Sequence, residues 1–102
     1  MINEYMYGKC MILAHYLSKK HGHPCVGIYD KVWTTIPKHV AVKNGDYYFD
    51  ARGWLTENDF LDGYNDAVIK NISIERIEEI WGYRVDNWDI PNDLLKHFGY
   101  YG

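Results

Sequence analysis

The sequence lacks any block of basic residues. Its 102 residues include 11 lysines and arginines against 14 aspartates and glutamates, which gives a formal net charge of −3. No run of like charges occurs along the chain. Proteins that bind nucleic acid cluster Lys and Arg to neutralise phosphates. The sequence therefore argues against nucleic acid as the main partner.

Long apolar segments are also absent. No stretch approaches the ~18 apolar residues of a membrane span, and the N-terminus lacks the basic start and apolar run of a signal peptide. We therefore expect a cytoplasmic protein, in a cell or an infected cell, with no membrane partner. Cysteine is scarce, and in a reducing compartment we expect Cys10 and Cys25 to be two free thiols.

Apolar side chains are plentiful, although they are distributed along the chain and not gathered in one long segment. Hydrophobic residues make up 47% of the chain and aromatic residues 17%, more than a disordered chain carries. A chain of this length folds as one domain and buries roughly 60–65% of its unfolded surface. We predict a single domain over residues 1–102.

A first amphipathic helix is predicted from about residue 8 to residue 21. The helical spacing i, i+3, i+4, i+7 is occupied by Cys10, Leu13, Ala14 and Leu17. A glycine at position 22 and a proline at position 24 end the helix. The pattern places Cys10 in the first turn, on the face that packs inward.

A β-hairpin is predicted over residues 37–51. Asn44-Gly45 between two β-rich runs is the strongest short-range hairpin signal, because a type I′ turn needs φ > 0 at both central positions. A loop made of these two residues pairs His39 with Asp50. Directly opposed residues have Cβ atoms roughly 4.5–5.5 Å apart, so this imidazole and this carboxylate are expected to hydrogen-bond.

One face of this hairpin has a small residue at its centre, which leaves room for the first helix. The face carries His39, Ala41, Tyr48 and Asp50. If the helix packs there, the Cys10 thiol meets the imidazole. The helix dipole and the first-turn N–H groups favour a thiolate at this position and can bind an oxyanion. Gly8 permits close approach by a substrate.

Further elements flank the hairpin. A short strand is predicted at 25–29, a helix capped by Thr56, a helix over 73–81 that competes with a strand over 68–74, and a last helix over 89–98. The order predicts an α+β domain. In it an N-terminal helix packs on a small antiparallel sheet and further helices follow.

Several short motifs combine into one pattern within residues 8–53: Gly8-x-Cys10-x-x-Leu13-Ala14-x-x-Leu17, Gly22-x-Pro24, His39-Val-Ala-Val and Tyr48-Phe-Asp50-Ala-x-Gly53. This pattern resembles the papain-like and transglutaminase-like cysteine enzymes, most of all the small bacterial and phage members. In that superfamily a Cys at a helix start, a His on one strand and an Asp or Asn on the next form the catalytic triad. The resemblance implies Cys10 as nucleophile, His39 as general base and then acid, and Asp50 as the residue that orients His39.

The chain also departs from that superfamily. Papain-type enzymes place a Gln before the Cys to complete the oxyanion hole, whereas the corresponding stretch here is Asn3-Glu4-Tyr5. Asn3 is therefore the candidate for that role, with Gly8 beside the substrate. Residues 54–102 match no pattern, and nothing in the sequence indicates an oligomeric state.

The leading hypothesis is a cysteine hydrolase or acyltransferase that acts on an amide, isopeptide or thioester carbonyl of a protein or peptide, without a cofactor. The alternative is a non-catalytic interaction module, a phage or effector protein on a papain-like scaffold. The missing Gln and the unmatched second half fit that alternative. A metal site was also considered, because His15, His21, His23 and Cys25 form a dense set of ligand residues. The helix stop explains the intervening glycine and proline, and no second ligand pair follows, so no metal is expected.

Overall fold

Four helices and five strands make up the described part of the chain. The computed structural model describes residues 6, 9–32, 35–81 and 89–101, with residue 81 described by its backbone alone. In chain order the elements are α1 (Cys10–His21), β1 (Cys25–Asp30), β2 (His39–Asn44), β3 (Tyr47–Asp50), β4 (Gly53–Leu55), α2 (Glu57–Phe60), β5 (Ala67–Ile72), α3 (Ile74–Trp81) and α4 (Asn92–His97). The predicted α+β class is confirmed.

The five strands form one antiparallel sheet in the order β4-β3-β2-β1-β5. Four consecutive strands form a meander, and β5 joins it by pairing with β1 on the far side. The registers pair Ile28 with His39, Asp50 with Gly53 and Asp30 with Ala67. One end of the sheet therefore carries the start of β2 and the end of β3, where His39 and Asp50 lie.

The hairpin between β2 and β3 forms, but its predicted register is wrong. Asn44 pairs with Tyr47, so the two loop residues are Gly45 and Asp46 rather than Asn44 and Gly45. Gly45 has φ +61°, whereas Asp46 is not among the residues with positive φ. Positive φ at the first central residue alone is the type II′ pattern, which also matches the twist of a hairpin.

The shifted turn moves the pairing by two residues. Val42 now faces Phe49 and Lys43 faces Tyr48, so His39 and Asp50 are diagonal neighbours instead of directly opposed ones. Because side chains alternate between the two faces of a strand, a shift of two keeps both residues on the same face. Diagonal neighbours remain within reach of long side chains.

The first helix packs on the face opposite to the predicted one. Its buried residues share an apolar cluster with Val40, Val42 and Phe49, which alternate along the strands with the His39 face. The expected docking onto the face of His39 and Ala41 is therefore wrong. The physical reason is area, since the β-branched and aromatic side chains of this face bury more apolar surface under a helix than alanine does.

The His39 face is covered instead by the segment around α2. A second apolar cluster there contains Val26, Ile28, Ala41, Tyr48 and Phe60. The Phe60 and Tyr48 rings are stacked, with centroids 4.6 Å apart. The hydroxyl of Thr56 accepts a hydrogen bond from the Asp59 N–H at 3.4 Å, which confirms the predicted cap of this helix.

The second half of the chain resolves one ambiguity. The predicted strand and the predicted helix that competed for the same stretch both form, as β5 and then α3, and Ser73 caps α3 by accepting from the Arg76 N–H at 3.0 Å. The strand β4 was not predicted, and α4 is shorter than expected. Among the described residues, the longest helix has 12 residues, and none has the length and hydrophobicity to cross a membrane.

Candidate active site

The chain topology carries Cys10 to the sheet end that holds His39 and Asp50. Only residues 22–24 separate α1 from β1, so the helix runs back along the sheet, antiparallel to β1. Gly22 makes the reversal with φ +77°, a left-handed conformation that suits glycine. The helix N-terminus therefore lies where β1 ends and β2 begins. Cys10 is the first residue of α1.

His39 and Asp50 form a buried, hydrogen-bonded pair. The Nε2–H of His39 donates to Oδ2 of Asp50 at 2.8 Å, and the two side chains are 0% and 1% exposed. A charge-assisted bond of this length is stronger in a buried site than at a surface. It fixes which nitrogen of the imidazole faces the carboxylate and leaves Nδ1 for another group.

Cys10 is the third member of this cluster. Burial by itself lowers the pKa of the His39 imidazole, because a charged ring is poorly solvated in the interior. The hydrogen bond to Asp50 and the electrostatic interactions with Cys10 and Asp50 act in the opposite sense and prevail, which raises the pKa of His39 to about 9. The site therefore favours an imidazolium at neutral pH.

The thiol approaches the ring without a well-aligned hydrogen bond. Among the described residues, no group meets strict hydrogen-bond geometry at Nδ1 of His39, although Cys10 interacts with that ring. Bonds between catalytic groups are often long in the absence of substrate and tighten when it binds. The Cys10 side chain is 9% exposed, so a carbonyl has only a narrow approach to it.

Arg52 completes the surroundings of Asp50. Its backbone N–H donates to Oδ1 of Asp50 at 2.8 Å, and its guanidinium donates to both carboxylate oxygens at 2.8–3.2 Å. Burial alone raises the pKa of the Asp50 carboxyl, but the hydrogen bonds from His39 and Arg52 outweigh it and lower that pKa below its ordinary value. Asp50 is therefore a carboxylate at neutral pH.

Two aromatic rings enclose the imidazole. The ring of Tyr64 is stacked on that of His39, with centroids 6.2 Å apart and planes 14° from parallel. The Phe60 ring lies 5.9 Å from His39 on a tilted plane. These rings exclude water from the His39–Asp50 pair and restrict the rotation of the imidazole.

The second thiol lies in a different environment. Cys25 is buried, and its Sγ–H donates to the Ala14 carbonyl at 3.6 Å. Burial raises the pKa of the Cys25 thiol to about 11. Both cysteines are free in the structure, and Cys25 is a buried structural thiol of the kind that reacts slowly.

Some predicted site residues cannot be placed. Asn3 and Gly8 lie outside the described residues. In the described part of the chain, no group of three metal-ligating side chains is close enough to hold a metal ion. The dense ligand stretch is used otherwise, because His23 hydrogen-bonds the Tyr100 hydroxyl at 2.9 Å and Cys25 packs under α1.

The site also contains three residues that were not predicted: Arg52, Phe60 and Tyr64. Arg52 had a usable signal, since it lies only two residues after Asp50 in the chain. The two aromatic residues had none, because their position over His39 depends on how α2 folds back across the sheet. No known protein family, curated protein or solved structure matches the chain.

Proposed function

We propose that the protein is a cysteine hydrolase or acyltransferase in which Cys10, His39 and Asp50 act as nucleophile, acid–base and orienting residue. The observation that carries this proposal is the buried 2.8 Å bond between His39 and Asp50, with a helix-start thiol interacting with the same imidazole. A nucleophile, a base and a group that orients the base are the parts of a covalent-catalysis site.

The raised pKa of His39 determines the order of proton transfers. Because the imidazole is protonated at neutral pH, the form of the site that reacts in this proposal is a thiolate beside an imidazolium. The Cys10 sulfur attacks the carbonyl carbon of an amide, isopeptide or thioester, and the carbonyl electron pair moves onto oxygen. When the tetrahedral intermediate collapses, the bond to the leaving group breaks and His39 donates its Nδ1 proton to that group.

The second half of the reaction uses the neutral imidazole as a base. Nδ1 of His39 accepts a proton from water, or from an amine, as that nucleophile attacks the thioester carbon of the acyl-enzyme. The carbon–sulfur bond then breaks, and the thiolate and the imidazolium are restored. Throughout, Nε2 stays bound to Asp50, which fixes the tautomer of the imidazole when the ring is neutral.

The first turn of α1 supplies the groups that stabilise the oxyanion in this proposal. The N–H groups at this end and the positive end of the helix dipole favour a negative charge. An oxyanion that develops next to Cys10 is therefore stabilised by backbone groups already in place.

The same features support a papain-like or transglutaminase-like ancestry and a protein or peptide substrate. A thiol at a helix start, a histidine on one strand and an acid on the next strand reproduce the triad order of that superfamily. A function that needs a thiolate suits the reducing conditions of the cytoplasm, where we place the protein.

Alkylation with iodoacetamide against pH tests the activated thiol. Two single-cysteine variants, Cys25→Ala and Cys10→Ala, report Cys10 and Cys25 separately. The quantity to measure is the rate at pH 6.5 divided by the rate at pH 9, since this ratio cancels differences in access to the two thiols. For an ordinary thiol of pKa ~8.5 the ratio is on the order of one-hundredth. For Cys10 we expect a clearly higher ratio, because the imidazolium of His39 favours the thiolate.

Variants of the partners make this test specific. His39→Gln in the Cys25→Ala background should return the ratio to that of an ordinary thiol, because the thiolate loses its imidazolium. If Cys10 in the otherwise unchanged chain already has the ordinary ratio, the proposed nucleophile is wrong. Turnover of peptide amides, isopeptides and thioesters, lost in both Cys10→Ala and Cys10→Ser, then identifies the reaction.

The low exposure of Cys10 favours one second candidate, a non-catalytic binding module that retains the triad as a buried structural cluster. Under that alternative Cys10→Ser leaves the biological activity and the fold intact. Under the enzyme proposal the same substitution abolishes activity without unfolding the chain, because sulfur and oxygen differ little in size but greatly in nucleophilicity.

A further inference from the structure

Arg52 holds the Asp50 carboxylate more extensively than His39 does. Its backbone N–H reaches Oδ1 at 2.8 Å, its Nε lies 3.2 Å from both oxygens, and its Nη2 lies 2.8 Å from Oδ2. The Asp50 side chain is 1% exposed, so these donors replace the water that would otherwise solvate it. The imidazole contacts Oδ2 alone.

The guanidinium is itself fixed from the other side. Its Nη1 donates to the Asp59 carbonyl and its Nη2 to the Phe60 carbonyl, both at 3.3 Å. These are the last residues of α2, the helix that also places the Phe60 ring beside His39. Arg52 thus links Asp50 to α2, which covers the His39 face of the sheet. These hydrogen bonds hold the N–H groups of the guanidinium in one orientation.

We propose that Arg52 is a positioning residue that keeps Asp50 ionised and turned toward His39, and that it thereby sets the lowest pH at which the Cys10–His39 pair is reactive. The inference rests on the proposed function for its effect on catalysis. Its effect on Asp50 follows from the hydrogen bonds alone.

Asp50 depends on Arg52 to keep its negative charge. Burial disfavours a carboxylate, and only charged or hydrogen-bonding partners restore it. Without Arg52, Oδ1 loses the guanidinium, and the carboxyl can rotate and take up a proton. A protonated Asp50 no longer supports an imidazolium, and the thiolate then loses its counter-ion. Lysine replaces the charge but not the planar fork, so it can meet only part of this requirement.

The test uses Arg52→Gln and Arg52→Lys in the full chain. The titration of the Asp50 carboxyl is followed by ¹³C NMR, and the pH profile of Cys10 alkylation is measured in the Cys25→Ala background. A neighbouring opposite charge lowers the pKa of a carboxyl by about 1–3 units. We expect both the titration and the acidic limb of the alkylation profile to move upward by that amount in Arg52→Gln, and by less in Arg52→Lys.

Arg76→Gln is the matched control, because Arg76 also donates to a backbone carbonyl, that of Thr35, and its ion pair is with Glu79. It should leave both profiles unchanged. If the Arg52 variants lower the free energy of unfolding but leave the carboxyl titration in place, Arg52 is merely structural and the inference is overturned. If Cys10 shows the alkylation-rate ratio of an ordinary thiol even in the chain that retains Arg52, the proposed function fails. The titration of the Asp50 carboxyl then decides the role of Arg52 by itself.

Discussion

Replacing Asp50 by alanine is expected to destabilise the fold strongly, because it leaves a buried imidazolium and a partly exposed guanidinium without their partner. In the native chain the carboxylate faces the His39 imidazole, which is 0% exposed, and the Arg52 guanidinium, which is 28% exposed. Truncation removes every one of these hydrogen bonds at once. The imidazole then loses its proton, and the guanidinium must turn toward solvent.

The magnitude follows from the burial of the pair. Removing one partner of a buried, hydrogen-bonded ion pair costs about 3–5 kcal/mol, a large share of the ~5–15 kcal/mol that stabilises a domain of this size. The same change at an exposed pair costs about 0–1 kcal/mol. Glu79→Ala supplies that comparison, since Glu79 is 67% exposed and pairs with Arg76 at 3.6 Å. Asp50→Asn, which keeps an oxygen acceptor, should cost less than Asp50→Ala.

Urea denaturation followed by tryptophan fluorescence measures the difference at pH 7. We expect a loss of at least ~3 kcal/mol for Asp50→Ala, with a fall in Tm of at least ~12 °C, and less than ~1 kcal/mol for Glu79→Ala. The double variant of His39 and Asp50 should cost less than the sum of the single variants, because the residues are in contact. A loss for Asp50→Ala no larger than that for Glu79→Ala would refute the buried-pair argument.

Two further predictions concern pH and the turn. The raised pKa of His39 gives stability that is complete below its ordinary value of 6.5 and lost as pH rises through about 9, whereas the lowered pKa of Asp50 gives stability that is present above 3.8 and lost at more acidic pH. The difference in free energy of unfolding between the native chain and Asp50→Ala should therefore be largest between pH 3.8 and pH 6.5. If urea denaturation at several pH values shows a difference that does not change with pH, the His39–Asp50 pair does not provide this stability. In the turn, Gly45→Ala should cost about 1–2 kcal/mol for its left-handed φ, and Asn44→Ala less than ~0.5 kcal/mol. Equal losses of stability in the two variants would favour the type I′ turn over the type II′ turn.

The positions of most helices and strands could be predicted from sequence, because each of these has a local signal. Gly22 ends α1 in the left-handed conformation, and Thr56 caps α2 through its side chain. The short strand β4 had no such signal. Its three residues pair with β3 only because the neighbouring strand offers a free edge.

The register of the β2–β3 hairpin differs from the predicted one, although the sequence signal for a hairpin was correct. A hairpin turn was correctly expected in this part of the chain, but it was placed at Asn44-Gly45 and forms at Gly45-Asp46. Two turn types compete for the same glycine and differ by one position. Side-chain alternation then preserved the pairing of His39 with Asp50 on one face, because a one-residue change at the loop shifts the strands by two. The predicted contact between His39 and Asp50 is therefore present although the hairpin loop was placed one residue too early.

The packing of α1 could not be obtained in the same way. Both faces of the hairpin carry apolar residues, and the choice between Val40 and Ala41 as the floor for a helix depends on total buried area. Cys10 nevertheless reaches His39, because the direction of α1 brings its N-terminus to that end of the sheet whichever face it covers. The role of Arg52 depends on the fold of α2 and lies outside what the local pattern contains.

The order of the strands has a consequence for how the chain folds. Cys10, His39, Asp50 and Arg52 lie within positions 10–52, in elements that neighbour one another both along the chain and in the structure. By contrast, joining β5 to β1 brings Cys25 against Ile72, which follows it in the chain by 47 positions. The entropy lost in closing a loop grows with its length, and contacts between distant residues slow folding. Cys10, His39 and Asp50 are therefore brought together through shorter loops and do not depend on the longest-range strand pairing.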